Sequence, residues 1–280
     1  MTGSECHPGI IGDSPLFLKI TWDDRVVGVR LSSHLGLWSL LFALSGATGA
    51  TEVPSNNLKG FALVELFTSE GCSSCPPADE LFAKLMTNAK ASGRAVYGLS
   101  FHVDYWDSLG WKDPFSDAAF TRRQNRYESL LGVQGPYTPQ MVVNGTDQFV
   151  GADASRANSD IEKFLSKNAS AVVQLQVSLD GQSVVVEWKV GGAAPGAELH
   201  VAWAQAAAAS NPDRGENASK ALRQVQVVRE FRTVQLGPAF EGRLTLTPPE
   251  LRAGSVVAFV QDPKSGRISG AAAAKTANTR

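Results

Sequence analysis

The sequence predicts an α/β fold, with a mixed sheet flanked by helices, over residues 61–168, followed by a mainly antiparallel β-sandwich-like domain over residues 172–280. Up to residue 168, nearly continuous apolar runs alternate with segments of helical periodicity. This pattern is typical of buried strands and the helices that connect them. Beyond residue 172, short segments of alternating apolar and polar residues lie between glycine-containing turns, which favours antiparallel strands.

The α/β region begins with a strand-helix-strand unit. Residues 61–67 and 95–103 are almost entirely apolar, as expected of strands buried on both faces. Between them, residues 78–86 place apolar side chains at helical spacing. A turn-rich, aromatic excursion over residues 104–136 follows, in which a helix is predicted with Ser116 as its N-cap. We therefore expect a βαβ unit with two parallel strands.

Two strands and a helix complete this region. Residues 137–145 and 148–152 are predicted strands that meet at an Asn-Gly turn, and residues 153–168 are the predicted closing helix. The strands predicted in the β-rich region cover residues 173–179, 183–188, 198–203, 224–231 and 256–260. The alanine runs 206–209 and 271–274 have low sequence complexity, and no strand is predicted in them.

The charge balance argues against nucleic-acid binding. The chain carries 26 basic and 27 acidic side chains, with a formal net charge of -1. Its lysines and arginines are scattered and do not form a basic block. Such a protein gains little from releasing counterions of a phosphate backbone. We therefore expect no nucleic-acid partner.

The N-terminal 50 residues have the features of a leader. Arg30 precedes an apolar run over residues 35–44, and small residues occupy positions 45–50. This order is typical of a secretory signal peptide. The apolar run is too short to cross about 30 Å of hydrocarbon. We expect cleavage, no permanent membrane anchor, and a periplasmic or secreted protein.

The length of the segment before this run is unusual for a signal peptide. Residues 1–28 are therefore interpreted as the product of a mis-assigned start codon. The alternative is a cytosolic extension followed by a buried core segment over residues 35–44. A polar linker is predicted over residues 51–60.

Outside the leader the chain has two cysteines, Cys72 and Cys75, where the first predicted strand turns into the helix. Thiolate is the reactive form of cysteine, and the free amides and dipole of a helix N-terminus stabilise that anion. The C-x-x-C spacing lets the second sulfur attack a mixed disulfide formed by the first. The pattern predicts a redox-active pair, with Cys72 as the nucleophile and Cys75 as the resolving thiol.

The order of strand, C-x-x-C turn, helix, strand and a later Thr138–Pro139 before a strand resembles the thioredoxin superfamily. The resemblance implies a thioredoxin-like fold in which Pro139 is cis and faces the cysteines across a substrate groove. Thr138 would offer backbone hydrogen bonds to a substrate. Gly71 and the two prolines after the pair depart from the usual pattern, and the helix is expected to begin near Ser74 or Pro76.

Four motifs resemble a narrower family, the domain of unknown function 1223 family of secreted bacterial proteins with thioredoxin-like folds. They are Val64–Asp79, His102–Asp107, Tyr137–Gly145 and Arg214–Asn217. The resemblance covers about residues 61–232 and implies the fold and an exported location, without a substrate. On its own, Arg214–Asn217 is interpreted as a polar turn.

His102 and Asp104 end the second strand, at the sheet edge where α/β proteins gather ligands, and both are expected to approach Cys72. Three roles for His102 remain open. It could shuttle the thiol proton, or it could form a structural hydrogen bond with Asp104. It could also join Cys72 and Cys75 around copper or zinc, metals that suit thiolate and imidazole.

The remaining candidates are carboxylates and aromatic residues. Glu65, in a buried strand, and Glu70, beside the cysteines, are candidate proton acceptors whose pKa burial would raise, unless Glu70 is exposed. Four aromatic residues of the excursion line a substrate groove or form a small core of their own: Trp106, Trp111, Phe115 and Phe120. A solvated helix face is predicted for Arg122, Arg123 and Arg126.

The leading prediction is an exported thiol-disulfide oxidoreductase, without a cofactor, that acts on thiols or disulfides of proteins or small molecules. One alternative is a copper or zinc carrier that uses Cys72, Cys75 and His102. Another is a non-catalytic interaction protein whose disulfide only braces the turn. A bracing disulfide has a reduction potential below about -300 mV, whereas catalytic pairs lie at roughly -270 to -120 mV.

Overall fold

The computed structural model describes residues 58–276, so the predicted leader lies outside the described residues. The strands are β1 (Ala62–Thr68), β2 (Val96–His102), β3 (Gln140–Val143), β4 (Asp147–Val150), β5 (Val172–Asp180), β6 (Ser183–Gly191), β7 (Glu198–Ser210), β8 (Leu222–Gln235), β9 (Glu241–Leu246), β10 (Gly254–Gln261) and β11 (Ile268–Lys275). The helices are α1 (Pro76–Ser92), α2 (Ala118–Leu131) and α3 (Ala154–Leu165), and Asp107–Leu109 forms a 3₁₀ turn.

Strand β1 is buried along its whole length. It pairs in parallel with β2, from Ala62 opposite Val96 to Thr68 opposite His102. On its other edge it pairs antiparallel with β3, which in turn pairs with β4. This register places the ends of β1 and β2 side by side, where the chain leaves β1 for α1.

The helix ends follow from their capping residues. α1 begins at Pro76, one of the two predicted starts, because proline needs no amide hydrogen in a first helical turn. α2 is capped by the side chain of Asp117, and not by Ser116 as predicted. The Ser116 hydroxyl instead donates a hydrogen bond to Asp107 in the excursion. Among residues 58–276, no helix combines the length and apolar character needed to cross a membrane.

Strands from both predicted regions lie in one eight-stranded sheet, of order β11-β10-β7-β8-β2-β1-β3-β4. β8 joins β2 in parallel at Ser100 and Val227. Phe101 of β2 packs against Phe231 of β8 and shares its core with Phe259 of β10. The change in sequence pattern near residue 170 therefore does not separate two sheets. The change marks the point after which strands have one apolar face and one polar face. Such strands can still extend a sheet whose other strands are buried on both faces.

A separate sheet of three antiparallel strands, of order β5-β6-β9, covers part of the large sheet. Val184, Val186 and Trp188 of β6 share a core with Leu199 and Trp203 of β7. Two antiparallel layers thus face each other, as in a sandwich. The second layer, however, belongs to the mixed sheet that also contains β1 and β2.

The two alanine runs are strands. Residues 206–209 lie in β7 and pair with β8, and residues 271–274 lie in β11 and pair with β10. Alanine is depleted in strands, so its runs give no local strand signal. Strand β9 was not predicted either. Four of its six residues are exposed, so it lacks an apolar run that would indicate a strand.

A buried ion pair links the first and last parts of the sheet. The Arg123 guanidinium of α2 donates to Glu65 of β1, at 2.5 Å, and it lies 4.9–5.6 Å from the ring centres of four aromatic residues. Tyr127 donates to the same carboxylate, and Gln261 of β10 donates to Tyr127. Arg123 is therefore buried, and its predicted place on a solvated helix face is wrong. Glu65 is held by this pair, away from any role as a free proton acceptor.

Removing Arg123 should destabilise the fold strongly. The variant Arg123→Ala leaves the Glu65 carboxylate buried without its cation, so we expect the free energy of unfolding to fall by about 3–5 kcal/mol. Urea unfolding monitored by tryptophan fluorescence measures the change. The exposed neighbour Arg122 supplies the control, since Arg122→Ala should change stability by less than about 0.5 kcal/mol. Equal losses in the two variants would contradict the buried pair.

Candidate functional site

The turn between β1 and α1, residues 69–75, is named here the cysteine turn. Cys72 and Cys75 form a disulfide in it, and both residues have 0% exposed surface. Cys75 is the N-cap of α1 and has no side-chain hydrogen bond to cap the helix. Its sulfur therefore lies where a helix N-terminus stabilises an anion. The Cys72 sulfur lies 3.3 Å from the Ser74 hydroxyl.

Thr138 and Pro139 lie next to the cysteine turn, and the peptide bond between them is cis, as the resemblance implied. The Ser74 hydroxyl is 3.5 Å from the Thr138 carbonyl, to which it donates. The Trp106 indole donates to the Thr138 hydroxyl at 2.8 Å. The fold thus brings together three parts of the chain that are far apart in sequence: the turn, the excursion and the start of β3.

The Glu70 carboxylate is buried and links three segments. It accepts hydrogen bonds from the Trp111 indole at 2.9 Å, from the Ser210 hydroxyl and from the Gln224 amide. Burial raises the pKa of Glu70, and the nearby Asp113 raises it further, while the hydrogen bonds from Ser210 and Trp111 lower it. Glu70 is therefore an internal anchor of the cysteine turn and is not exposed.

His102 is buried beneath the turn and pairs with Asp113, not with Asp104. Its Nδ1 lies 2.7 Å from Asp113 Oδ2, and the same oxygen accepts the Glu70 amide at 2.9 Å. Asp104 instead bonds to Thr121 of α2, through its backbone amide and its carboxylate. Asp104 is thus engaged at the base of the excursion, and among residues 58–276 no hydrogen bond joins it to the cysteine turn.

The electrostatic balance around His102 favours the charged ion pair. Burial alone would lower the pKa of His102, but the carboxylates of Asp113, Asp79 and Glu70 raise it above its ordinary value. Burial would likewise raise the pKa of Asp113, yet the interaction with His102 holds it below its ordinary value. Within the described residues, the buried Nε2 of His102 has no hydrogen-bond partner.

Asp79 was not predicted as a site residue. It lies four residues after Cys75 on α1, and residues at this spacing share one face of a helix. Its Oδ1 is buried without a hydrogen-bond partner among residues 58–276. Burial raises the pKa of Asp79 from 3.8 to about 7, although His102 and the Thr68 hydroxyl lower it. In the sequence it looks like an acid that complements the helix dipole, and only its burial distinguishes it.

The Arg214–Asn217 motif contacts the cysteine turn. Asn217 is fully buried, and its amide donates to the carbonyls of Glu70 and Cys72, both at 2.8 Å. The Glu216 carboxylate accepts the Ser73 amide at 2.9 Å. More than 140 residues separate these partners, so no local signal could have placed them together. The motif is more than a polar turn.

The four aromatic residues of the excursion do not act as one group. Trp106 and Trp111 hydrogen-bond to Thr138 and Glu70 at the cysteine turn. Phe115 packs edge-on against the His102 ring, at 5.3 Å between ring centres. Phe120 belongs to the core of the large sheet. Only the two tryptophans therefore lie where they could meet a substrate.

The copper or zinc alternative finds no prepared site in the part of the chain that the structure describes. In residues 58–276, no group of three or more histidine, cysteine and acidic side chains is arranged to hold a metal ion. The two sulfurs are bonded to each other, and His102 is engaged with Asp113. The alternative stays a prediction without structural support.

The fold and site define a mixed α/β protein with a buried disulfide at a strand-helix turn. The chain belongs to the family described as "Protein of unknown function (DUF1223)", which it matches over residues 63–261. Protein AGR_C_4864 from Agrobacterium tumefaciens has a similar structure, with 30% identity and a TM-score of 0.59 over 78% of this chain and 95% of that one. HBP35 of Porphyromonas gingivalis is 17% identical, with a TM-score of 0.58 over 78% of this chain and 76% of its own, and shows the fold alone. None of the curated proteins compared with the chain matches it.

Asp79 should make stability depend on pH. Its folded pKa of about 7 lies above the 3.8 of an ordinary aspartate. The folded protein therefore binds more protons than the unfolded chain between these values, and this contribution to stability is lost as the pH rises through about 7. Asp79→Asn removes the cost of the buried charge. We expect the free energy of unfolding of this variant to exceed that of wild type by about 1–3 kcal/mol at pH 8 and to equal it near pH 4.

Urea unfolding at several pH values measures this difference. Glu80→Gln is the matched control, because Glu80 is the exposed neighbour of Asp79 on the same helix. The control should follow the wild-type pH profile. A difference between Asp79→Asn and wild type that does not change with pH would mean that Asp79 titrates normally.

Proposed function

We propose that the protein is an exported thiol-disulfide oxidoreductase in which Cys72 is the attacking sulfur and Cys75 the resolving one. The observation that carries the proposal is the Cys72–Cys75 disulfide at the N-terminal end of α1, beside Thr138 and Pro139. Because Cys75 is the N-cap of α1, its thiolate is stabilised, which makes Cys75 a good leaving group when a thiolate attacks Cys72. Thiols or disulfides of proteins or small molecules are its proposed substrates.

The proposed reaction needs no cofactor. A substrate thiolate attacks the Cys72 sulfur, the bond between Cys72 and Cys75 breaks, and its electron pair leaves on Cys75. A second substrate thiolate then attacks the mixed disulfide, so that Cys72 leaves as a thiolate and the substrate becomes a disulfide. Two electrons pass from the two substrate thiols to the cysteine pair. In the reverse direction the Cys72 thiolate attacks a substrate disulfide and displaces one substrate thiolate. Cys75 then attacks the mixed disulfide and displaces the other, so the substrate is reduced and the Cys72–Cys75 disulfide forms again.

A thioredoxin-like fold is part of the proposal. Its support is the strand order β2-β1-β3-β4, with β1 and β2 parallel and joined by α1. β3 runs antiparallel to β1, and a cis Thr138–Pro139 bond precedes it. The excursion containing α2 is then an insertion between β2 and β3. Exposure to an oxidising compartment, after removal of the predicted signal peptide, would keep the pair oxidised.

Asp79 is the proposed proton partner of Cys75. A thiolate released inside a buried site is costly unless a nearby acid supplies a proton. Asp79 lies one helical turn after Cys75, and its pKa of about 7 suits both giving and taking a proton at neutral pH. His102 and Asp113 form a salt bridge in the same buried region, and their opposite charges cancel.

A second candidate is a non-catalytic interaction protein whose disulfide braces the cysteine turn. The observation in its favour is that neither cysteine has exposed surface. An attacking thiol needs access to a sulfur atom, so a permanently covered disulfide would be inert. The two candidates differ in the reduction potential of the pair.

The reduction potential tests the proposed function. The full chain, with Cys6→Ser in every sample so that two thiols are counted, is equilibrated in glutathione or dithiothreitol buffers and its free thiols are trapped by alkylation. We expect a potential at roughly -270 to -120 mV, with Cys72 alkylated before Cys75 at neutral pH. Cys72→Ser should abolish disulfide exchange, and Cys75→Ser should accumulate mixed disulfides.

Ser178→Ala serves as the control, since it changes an exposed side chain on β5 and leaves the cysteine turn unaltered. It should exchange disulfides at the wild-type rate. A potential below about -300 mV, with exchange in Cys72→Ser as fast as in wild type, would favour the bracing disulfide.

A further inference from the structure

The loop between β7 and β8, residues 211–221, is attached to the backbone on both sides of Cys72. Asn217 donates to the carbonyls of Glu70 and Cys72, and Glu216 accepts the Ser73 amide. The Asn217 side chain is oriented by Lys220, which donates to its Oδ1 at 2.9 Å. These hydrogen bonds go to main-chain atoms of the cysteine turn, so they fix its path directly.

The same loop also packs against the excursion. Gly215 has a φ of +79°, and a Cβ added there would lie 3.2 Å from the Cβ of Trp111. On the other side, a Cβ added to Gly71 would lie 3.1 Å from the Cβ of Trp106. The loop and the excursion thus approach the cysteine turn, and both cysteines have 0% exposed surface.

We propose that Glu216 and Asn217 form a movable cover that determines which thiols reach Cys72. The inference rests on the proposed oxidoreductase function, because a thiolate must contact the Cys72 sulfur to displace Cys75. A sulfur without exposed surface cannot be reached until something moves. The cover is the part best suited to move, because Glu216 and most of its loop neighbours are exposed and few hydrogen bonds hold the loop to the turn.

The two residues contribute differently to the cover. Glu216 is exposed, and its bond to the Ser73 amide competes with water. Asn217 is buried and donates to two carbonyls. Its release removes the side-chain donor of the Glu70 carbonyl and leaves the Cys72 carbonyl with only the Cys75 amide, at 3.2 Å. Opening at Glu216 is therefore the easier step, and release of Asn217 is the step that frees Cys72. Larger thiols need the second step more than small ones do.

The test measures how fast dithiothreitol and glutathione reduce the Cys72–Cys75 disulfide in the full chain carrying Cys6→Ser. We expect Glu216→Ala and Asn217→Ala to react roughly 3- to 10-fold faster than wild type, as the loss of one or two hydrogen bonds predicts. The gain should be larger with glutathione, the bulkier thiol. Glu241→Ala on β9 and Asn158→Ala on α3 are controls of the same residue types on exposed surfaces, and should stay within about twofold of wild type.

Hydrogen exchange of the Ser73 amide provides a second measurement that needs no redox activity. Glu216→Ala should speed this exchange roughly 3- to 10-fold, while amides of β1 keep their wild-type protection. Because Glu216→Ala changes only an exposed side chain, this variant is expected to fold like wild type. Urea unfolding confirms that its global stability is unchanged.

The outcomes separate the cover from the proposed function. Unchanged reduction rates in both variants, or greater gains with dithiothreitol than with glutathione, would overturn the cover even where the reduction potential lies in the catalytic range. A potential below about -300 mV would overturn the oxidoreductase function. In that case, faster Ser73 exchange in Glu216→Ala would still establish that the loop protects the turn, without a role in selecting thiols.

Discussion

Burial of the whole of β1 is the constraint on which the rest of the structure depends. A strand with both faces and both edges buried must pair its backbone on each side, and β2 and β3 do this. It also carries a carboxylate, Glu65, which requires Arg123 beside it. Since β1 ends at Thr68 next to the end of β2, the chain must turn there into α1, and the disulfide lies in that turn.

Local patterns predicted the elements around this strand, and long-range pairing decided the rest. The apolar runs of β1 and β2 and the periodicity of α1 are properties of short segments, so they could be found from the sequence. That β8 pairs with β2 at Ser100 and Val227 depends on atoms more than 120 residues apart. The alanine strands were missed because alanine gains strand structure only from its neighbours, here β8 and β10.

The candidate site divides in the same way. Cys72, Cys75, Thr138 and Pro139 were predicted from spacing and resemblance, and they lie together. Other residues were missed because burial and tertiary contact give them their place: Asp79, Asp113, Glu216 and Asn217. Asp104 was one possible partner of His102 because it is near in sequence, and Asp113 was not considered. The excursion, however, folds back and brings Asp113 to the ring.

The buried groups beneath the cysteine turn are balanced in charge, which bears on how a covered disulfide could react. His102 and Asp113 form a pair without net charge, while burial favours the neutral forms of Asp79 and Glu70. Breaking the disulfide would add a negative charge at Cys75, the helix N-cap. The dipole of α1 can stabilise that charge, and a proton from Asp79 can remove it. Access from outside is then the remaining requirement, and the loop that carries Glu216 and Asn217 is placed to control it.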